Sequence, residues 1–317
     1  MNPWTSFWRQ GHSTAFGDSS EKAYDGAIRN WWLGILRANP AASTILEIAC
    51  GNTSLLPGMI ESHVGQVYIG VDVAEVTLSK AAQDLITTAE CPSVELLSET
   101  PAENLPVPAN NVDLAASVFG IEYSDENKSF AEVLRVLNPG AAFFGLLHHS
   151  ASPISDITRR SLGEYDDEVM AIAIEALQTV DRALERCGNN PAQLKNDADA
   201  EAARMQINEL AKRFLSDDAT ETNSKMFDFM KGVLFYFRVL RNSASERRKV
   251  IDHLFTEYHA SRERAEQMLS VGRDELQMAE LVVELKALGF SNCKFSPVSA
   301  NNSVLAWQLQ CEKLESN

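Results

Sequence analysis

Several features of common protein classes are missing from this chain of 317 residues. No apolar run approaches the roughly 20 residues that a membrane-spanning helix requires, so we expect no membrane association. The opening residues 1–5, Met-Asn-Pro-Trp-Thr, lack a basic segment followed by an apolar one, which predicts no secretion signal. The few cysteines are scattered and form no C-x-x-C pair, which argues against a disulfide framework and against a zinc site: Cys50, Cys91, Cys187, Cys293 and Cys311. We therefore expect a cytoplasmic protein without a bound metal.

Positive charge is also scarce. The chain has 28 Lys and Arg residues against 44 Asp and Glu, a formal net charge of −16. A nucleic-acid-binding protein needs a basic face that displaces counterions, so this balance predicts no nucleic-acid partner. The densest basic cluster, Arg247-Arg248-Lys249, is interpreted as a solvated helix face.

Glycine is missing where nucleotide-binding motifs need it. The apolar run Ile45–Ile48 leads into the turn Ala49-Cys50-Gly51-Asn52-Thr53, and a second apolar run, Val67–Val71, ends on Asp72. A strand, a glycine turn, a helix and a second strand ending in an acid are typical of adenosine sites in doubly wound α/β sheets. The single glycine argues against the dinucleotide fingerprint, and no Gly-Lys-Ser/Thr follows, which argues against a P-loop. S-adenosyl-L-methionine suits the turn better, because it has no phosphate and an acid such as Glu47 attracts its ammonium and sulfonium groups.

Strand and helix patterns alternate over residues 44–150. The strands are predicted at 44–50, 66–72, 93–98, 112–118 and 141–149, and the helices at 55–62, 75–89 and 127–137. Only helical patterns follow until residue 272: these cover 164–186, 191–215, 223–241 and 244–270. A helix at 274–288 and strands at 292–298 and 303–311 then complete the alternating pattern. The fold class predicted is α/β: a doubly wound, Rossmann-like seven-stranded sheet with an all-helical insertion, a cap by position, after strand five.

Four segments follow from these patterns: a lid segment 1–43, a core 44–150, a helical cap 151–272 and a core completion 273–317. The lid segment is rich in aromatic residues: Trp4, Phe7, Trp8, Phe16, Tyr24, Trp31 and Trp32. A helix is predicted over 21–37. The helix at 223–241 has almost no polar face, so we expect it inside the helical bundle, against a pocket, or in a homodimer contact.

Five blocks in the order and spacing of a known family occur between residues 44 and 150: Leu46–Gly51, Gly70–Val73, Ala102–Pro108, Asn111–Phe119 and Glu132–Gly140. In these blocks the sequence resembles the class I S-adenosylmethionine-dependent methyltransferases, in particular the small-molecule branch. Ala49 and Thr53 stand where that family has its outer glycines. The resemblance does not extend to the insertion.

The resemblance implies a set of cofactor-binding residues. Glu47 and the backbone at Cys50 and Gly51 would hold the methionine part of the cofactor, and Asp72 the ribose. The others implied are Val73 at the adenine, Ala102 or Glu103 at its edge, and Ser117 and Phe119 near the sulfonium.

Catalytic candidates lie at the ends of the fourth and fifth strands. His148 and His149 end strand five, and because neighbouring strand residues point to opposite faces, at most one faces the ligand. A histidine can act as a base near neutral pH; otherwise it is hydrogen-bonded to the start of the insertion. Glu122 would bind a cationic acceptor or is a surface acid, and Tyr123 would orient an acceptor hydroxyl.

The aromatic residues of the lid segment allow two interpretations. Trp8 and Tyr24 form a lid that excludes water and contacts the sulfonium, or they pack on the sheet. For Trp31 and Trp32, packing is preferred. The function predicted is methyl transfer from S-adenosyl-L-methionine to a nitrogen or oxygen of a small-molecule substrate, in secondary metabolism. Two alternatives stay open: other chemistry on the same cofactor, such as cyclisation, and a non-catalytic cofactor sensor.

Overall fold

The computed structural model describes residues 2–15, 24–87, 91–215, 223–300 and 302–315. Its centre is a seven-stranded sheet in the order β3-β2-β1-β4-β5-β7-β6. The strands are β1 (Thr44–Ile48), β2 (Val67–Val71), β3 (Ser93–Leu97), β4 (Val112–Val118), β5 (Leu137–His148), β6 (Phe290–Ala300) and β7 (Ser303–Lys313). Strands β1 to β5 are parallel, and β7 runs antiparallel between β5 and β6. This confirms the predicted Rossmann-like sheet.

Eleven α-helices occur in the described residues: α1 (Pro3–Trp8), α2 (Gly26–Ala38), α3 (Leu56–Ser62), α4 (Lys80–Ile86), α5 (Glu126–Val136), α6 (Pro153–Leu162), α7 (Asp167–Arg186), α8 (Ala198–Phe214), α9 (Ser224–Tyr236), α10 (Ala244–Val271) and α11 (Glu275–Leu288). Within the described ranges, none of the helices is long and apolar enough to cross a membrane.

Helix ends follow local capping chemistry rather than the apolar pattern. The helix predicted at 75–89 begins only at Lys80, because the Ser79 side chain accepts a hydrogen bond from the Ala82 amide; residues 88–89 lie outside the described ranges. The helix predicted at 191–215 is a 3₁₀ turn followed by α8, whose N-cap is Asp197. Helix α11 begins with a capping box at Asp274 and ends at Gly289, whose φ of 115° only glycine adopts readily.

Apolar side chains pack on both faces of the sheet. One cluster, which includes Phe130, Phe143 and Leu285, joins the sheet to α5 and α11. A second cluster on the other face contains Trp32 and Leu36 of α2 together with residues of α3. Burial on both faces explains why β1 reads as an almost continuous apolar run.

The helical residues between β5 and α11 contribute a separate compact unit. Residues 157–266 form that unit, and residues 1–156 with 267–317 form the other. In the helical unit, α9 buries one face only: Met230 and Val233 are inaccessible, whereas Leu234 and Phe235 are 36% and 48% exposed. One face thus lies inside the helical bundle, as one of the alternatives had it, and the homodimer contact for the exposed face stays a prediction.

Within the sheet-containing unit, the segment after β5 pairs with the segment before α11. His149 and Arg273 form a parallel bridge. The Ser150 amide donates to the Arg273 carbonyl at 2.9 Å, and the Arg273 amide donates to the His148 carbonyl at 2.9 Å. Both connections are thereby fixed beside the end of β5.

Candidate active site

A small cavity lies at the carboxyl ends of β1, β2 and β4, where ligands bind in open α/β sheets. Its volume is about 70 Å³. Its walls are mostly aromatic or apolar: Trp4, Trp8, Ala15, Tyr24, Ala49, Cys50, Ser54, Asp72, Val73, Val118, Phe119, Gly120 and Tyr123. Seven of the residues that the sequence predicted for the site thus line one cavity.

The turn after β1 has a glycine-like backbone although it contains one glycine. Ala49, Gly51 and Thr53 have φ values of 53°, 50° and 61°, all in the left-handed region. This region costs a non-glycine residue about 1–2 kcal/mol. The methyl group of Ala49 is accommodated because the facing residue is Gly120, where a Cβ atom would lie 2.3 Å from it. The turn therefore keeps left-handed backbone at Ala49 and Thr53 although neither is glycine.

Asp72 connects the end of β2 to this turn. Its carboxylate accepts hydrogen bonds from the amides of Gly51 and Ala74, each at 2.8 Å. Burial raises the pKa of Asp72 to about 6, and the two amide donors oppose that shift. The carboxylate is thus held by the turn and lines the cavity.

Glu47 lies behind the turn and is not among the residues that line the cavity. Its carboxylate accepts hydrogen bonds from the Ser54 hydroxyl at 2.7 Å, from the Leu55 amide and from the Tyr68 hydroxyl. Burial raises its pKa to about 7, against these donors. In this structure its carboxylate fixes the turn to the start of α3.

His148 and Tyr123 form a hydrogen-bonded pair beside the cavity. The Tyr123 hydroxyl lies 2.9 Å from His148 Nε2, and the imidazole stacks on Phe119 with ring centroids 4.6 Å apart. Burial lowers the pKa of His148 to about 4, so the imidazole is neutral at physiological pH. His149 points to the other side, where it stacks on Trp307. Strand alternation thus places only His148 beside the cavity, in contact with the lining residues Phe119 and Tyr123.

Glu122 is buried beside the same pair and is not a surface acid. Its Oε1 accepts a hydrogen bond from the His148 amide at 3.1 Å, whereas Oε2 has no partner among the described residues. Burial raises the pKa of Glu122 to about 7; the negative charge of Glu126 adds to this and the positive charge of Arg273 opposes it. Glu126 and Arg273 are ion-paired with each other.

The remaining predicted residues differ in position. Val73 is 54% exposed and lines the cavity. Ser117 is buried below it and accepts a hydrogen bond from the Ile121 amide. Ala102 packs against the core, and Glu103 accepts a hydrogen bond from the Asp125 amide. The structure does not bring Ser117, Ala102 or Glu103 to the cavity surface.

Asn52 and Trp4 are part of this site although the sequence analysis did not assign them a role. The Asn52 side-chain amide donates to the carbonyls of Trp8 at 2.9 Å and His12 at 2.8 Å. Trp4 contacts Tyr123 edge to face. The sequence signal that could have indicated Asn52 is an asparagine inside a predicted ligand-binding turn. Once buried there, its side-chain amide needs several hydrogen-bond partners.

Comparison with known proteins agrees with this geometry. Residues 45–140 match a family model described as a methyltransferase domain, and no curated protein matches the chain. This match confirms, for this part of the chain, the resemblance to methyltransferases seen in the sequence blocks.

Solved structures were also found to be similar. A possible exported protein from Bordetella parapertussis is 13% identical, with 90% of this chain and 67% of that chain covered and a TM-score of 0.43. A candidate S-adenosyl-L-methionine-dependent methyltransferase from Methanococcus maripaludis is 9% identical, with coverages of 92% and 87% and a TM-score of 0.42. An S-adenosylmethionine-dependent methyltransferase from Mesorhizobium loti is 20% identical, with a TM-score of 0.32; the match covers 39% of this chain and only 54% of that one.

Proposed function

We propose that this protein transfers a methyl group from S-adenosyl-L-methionine to a nitrogen or oxygen atom of a small organic acceptor, in secondary metabolism. One observation carries the proposal. The glycine turn, the Asp72 carboxylate and the Tyr123–His148 pair all adjoin one cavity at the carboxyl ends of the parallel strands. The methyltransferase-domain match over residues 45–140 supports the same conclusion.

The chemistry of the cavity walls suits this cofactor. S-adenosyl-L-methionine supplies a reactive methyl group on a positively charged sulfur. Aromatic rings such as Phe119 and Tyr24, which line the cavity, attract cations through their faces, and the buried Asp72 carboxylate suits the ribose hydroxyls. We assign the methionine part to the backbone at Cys50 and Gly51, and the adenine to the side of Val73.

Methyl transfer is an in-line displacement, so the protein contributes mainly by positioning the acceptor and excluding water. Tyr123 lines the cavity and can bind an acceptor heteroatom through its hydroxyl. Neutral His148 is hydrogen-bonded to that hydroxyl through Nε2 and thereby fixes its direction. Because the pKa of His148 is lowered to about 4, we assign to the pair the orientation of the acceptor rather than the uptake of its proton.

Calorimetric titration with S-adenosyl-L-methionine tests the cofactor assignment. We expect binding by the wild-type chain and at least tenfold weaker binding by Asp72→Asn, whose amide cannot accept both backbone hydrogen bonds and bind ribose as a carboxylate does. Asp84→Asn, at an exposed position of α4, is the matched control and should bind normally. Equal affinities for Asp72→Asn and wild type would overturn the assignment.

Mass analysis of the products tests the reaction. S-adenosylhomocysteine together with a methylated acceptor supports methyl transfer. Methylthioadenosine as the product would contradict it and favour cyclisation or another group loss. Tight cofactor binding without turnover on a broad panel of amines, phenols and carboxylic acids would favour a sensor.

A further inference from the structure

The N-terminal segment, residues 2–15, lies where the proposed function places the methionine part of the cofactor. The Trp8 indole covers the glycine turn so closely that a Cβ atom at Gly51 would lie 2.4 Å from Trp8 Cζ2. The same indole packs with Cys50, Ala74 and Val76 in a buried apolar cluster. Trp8 thus contacts both ends of the proposed cofactor site, the turn after β1 and the loop after β2.

Little space is left beside this side chain. The cavity has a volume of about 70 Å³, whereas pockets for small molecules and cofactors measure about 300–1,000 Å³. With Trp8 and its neighbours in these positions, the cavity is several times smaller than a cofactor pocket. In these positions the N-terminal segment occupies space that the cofactor needs, and it also keeps water out of the site.

Contacts with three residues, Asn52, Glu75 and Gln267, hold the segment in place. The Asn52 side chain donates to the carbonyls of Trp8 and His12. The Thr5 hydroxyl accepts a hydrogen bond from the Glu75 amide at 3.1 Å, and Arg9 is ion-paired with the Glu75 side chain. Trp4 adds a hydrogen bond from its indole to Gln267 at 3.0 Å. Asn52 belongs to the turn after β1, which we assign to the cofactor. The same turn would therefore bind either the N-terminal segment or the cofactor.

We propose that the N-terminal segment is an internal competitor of S-adenosyl-L-methionine. The segment leaves the site before the cofactor binds. This proposal depends on the proposed function, since it assigns a regulation to the same site. The apparent affinity is then the intrinsic affinity multiplied by the fraction of molecules with the segment released. A lid that closes over bound cofactor would have the opposite effect, because loosening it would weaken binding.

Stopped-flow tryptophan fluorescence on the full chain, with S-adenosyl-L-methionine as the probe, separates these cases. Trp8→Ala removes the competing side chain, and Thr5→Val keeps the shape of Thr5 while removing a hydrogen bond remote from the glycine turn. We expect cofactor binding about tenfold tighter for Trp8→Ala and about two- to tenfold tighter for Thr5→Val, the value of one hydrogen bond. Trp31→Ala, on α2 outside this cavity, is the control for loss of one tryptophan signal and should bind as wild type does.

Trypsin cleavage after Arg9 gives an independent measurement. Competition predicts that S-adenosyl-L-methionine accelerates this cleavage, because the displaced segment is accessible. Protection of Arg9 by the cofactor, or weaker binding by both variants, would overturn the competitor and favour a lid. Unchanged binding in both variants would also overturn it while leaving the methyltransferase proposal intact. Failure of every form to bind the cofactor, with folding confirmed by circular dichroism, would overturn both proposals.

Discussion

Replacing Glu122 by glutamine should stabilise the protein at high pH and leave its stability unchanged at low pH. The carboxyl group is buried, and its Oε2 has no partner among the described residues. Glutamine has the same shape and keeps the oxygen that accepts the His148 amide. The substitution therefore removes an ionisable group with little change in packing.

The magnitude follows from the pKa of Glu122, which burial raises from an ordinary value of 4.5 to about 7. Below pH 4.5 the carboxyl is protonated in both folded and unfolded chains, and it costs nothing. As the pH rises from 4.5 to 7, the unfolded chain releases the proton and the folded chain retains it, so the wild type loses stability. A pKa difference of about 2.5 lowers the free energy of unfolding of the wild type by about 3 kcal/mol above pH 7. Glu122→Gln has no ionisable group at this position and does not lose this stability.

Urea denaturation at pH 4.5 and pH 8 measures this effect as the difference between variant and wild type at each pH. We expect only about 0.4 kcal/mol at pH 4.5, where the unfolded carboxyl is half ionised, and about 3 kcal/mol in favour of Glu122→Gln at pH 8. Glu280→Gln, at an exposed position of α11, is the control and should have the same stability as wild type at pH 4.5 and at pH 8. A variant that is less stable than wild type at pH 8 would refute the argument, since the ionised carboxylate would then be stabilising.

Three further outcomes are expected. Gly120→Ala should lose about 1–3 kcal/mol in denaturation because its Cβ meets Ala49, and adding Ala49→Gly should restore most of this; additive effects would contradict the contact. Asp181→Ala should destabilise the helical unit by about 3–5 kcal/mol, because fully buried Arg247 loses its ion-pair partner; a neutral result would contradict this. Tyr123→Phe should lower kcat about 100-fold in an S-adenosylhomocysteine release assay, with KM for the cofactor unchanged; a KM effect alone would place Tyr123 in binding.

The sheet and its helices were largely predictable because buried parallel strands have a strong and local signature. Strand β4 was predicted with the observed ends, Val112 and Val118. Strand β5 begins at Leu137, before the turn-forming Pro139 and Gly140, because those residues continue the strand through an irregular pairing with β4. Turn residues gave no signal for that pairing.

The site was predictable in its location but not in its contacts. The position of Asp72 follows from strand order, since the carboxyl ends of β1 and β2 meet. The direction of Glu47 does not, because it depends on the Tyr68 hydroxyl and the start of α3, which a linear pattern does not bring together. Helix α1 was missed because it has only six residues and is held by long-range contacts such as that between Thr5 and Glu75.

The bridge between His149 and Arg273 makes the helical unit an exchangeable module. Because the two connections run side by side, the whole stretch from 151 to 271 begins and ends at nearly the same point of the sheet-containing unit. A short linker would close that gap, so the length of the stretch can change without changing the strand order.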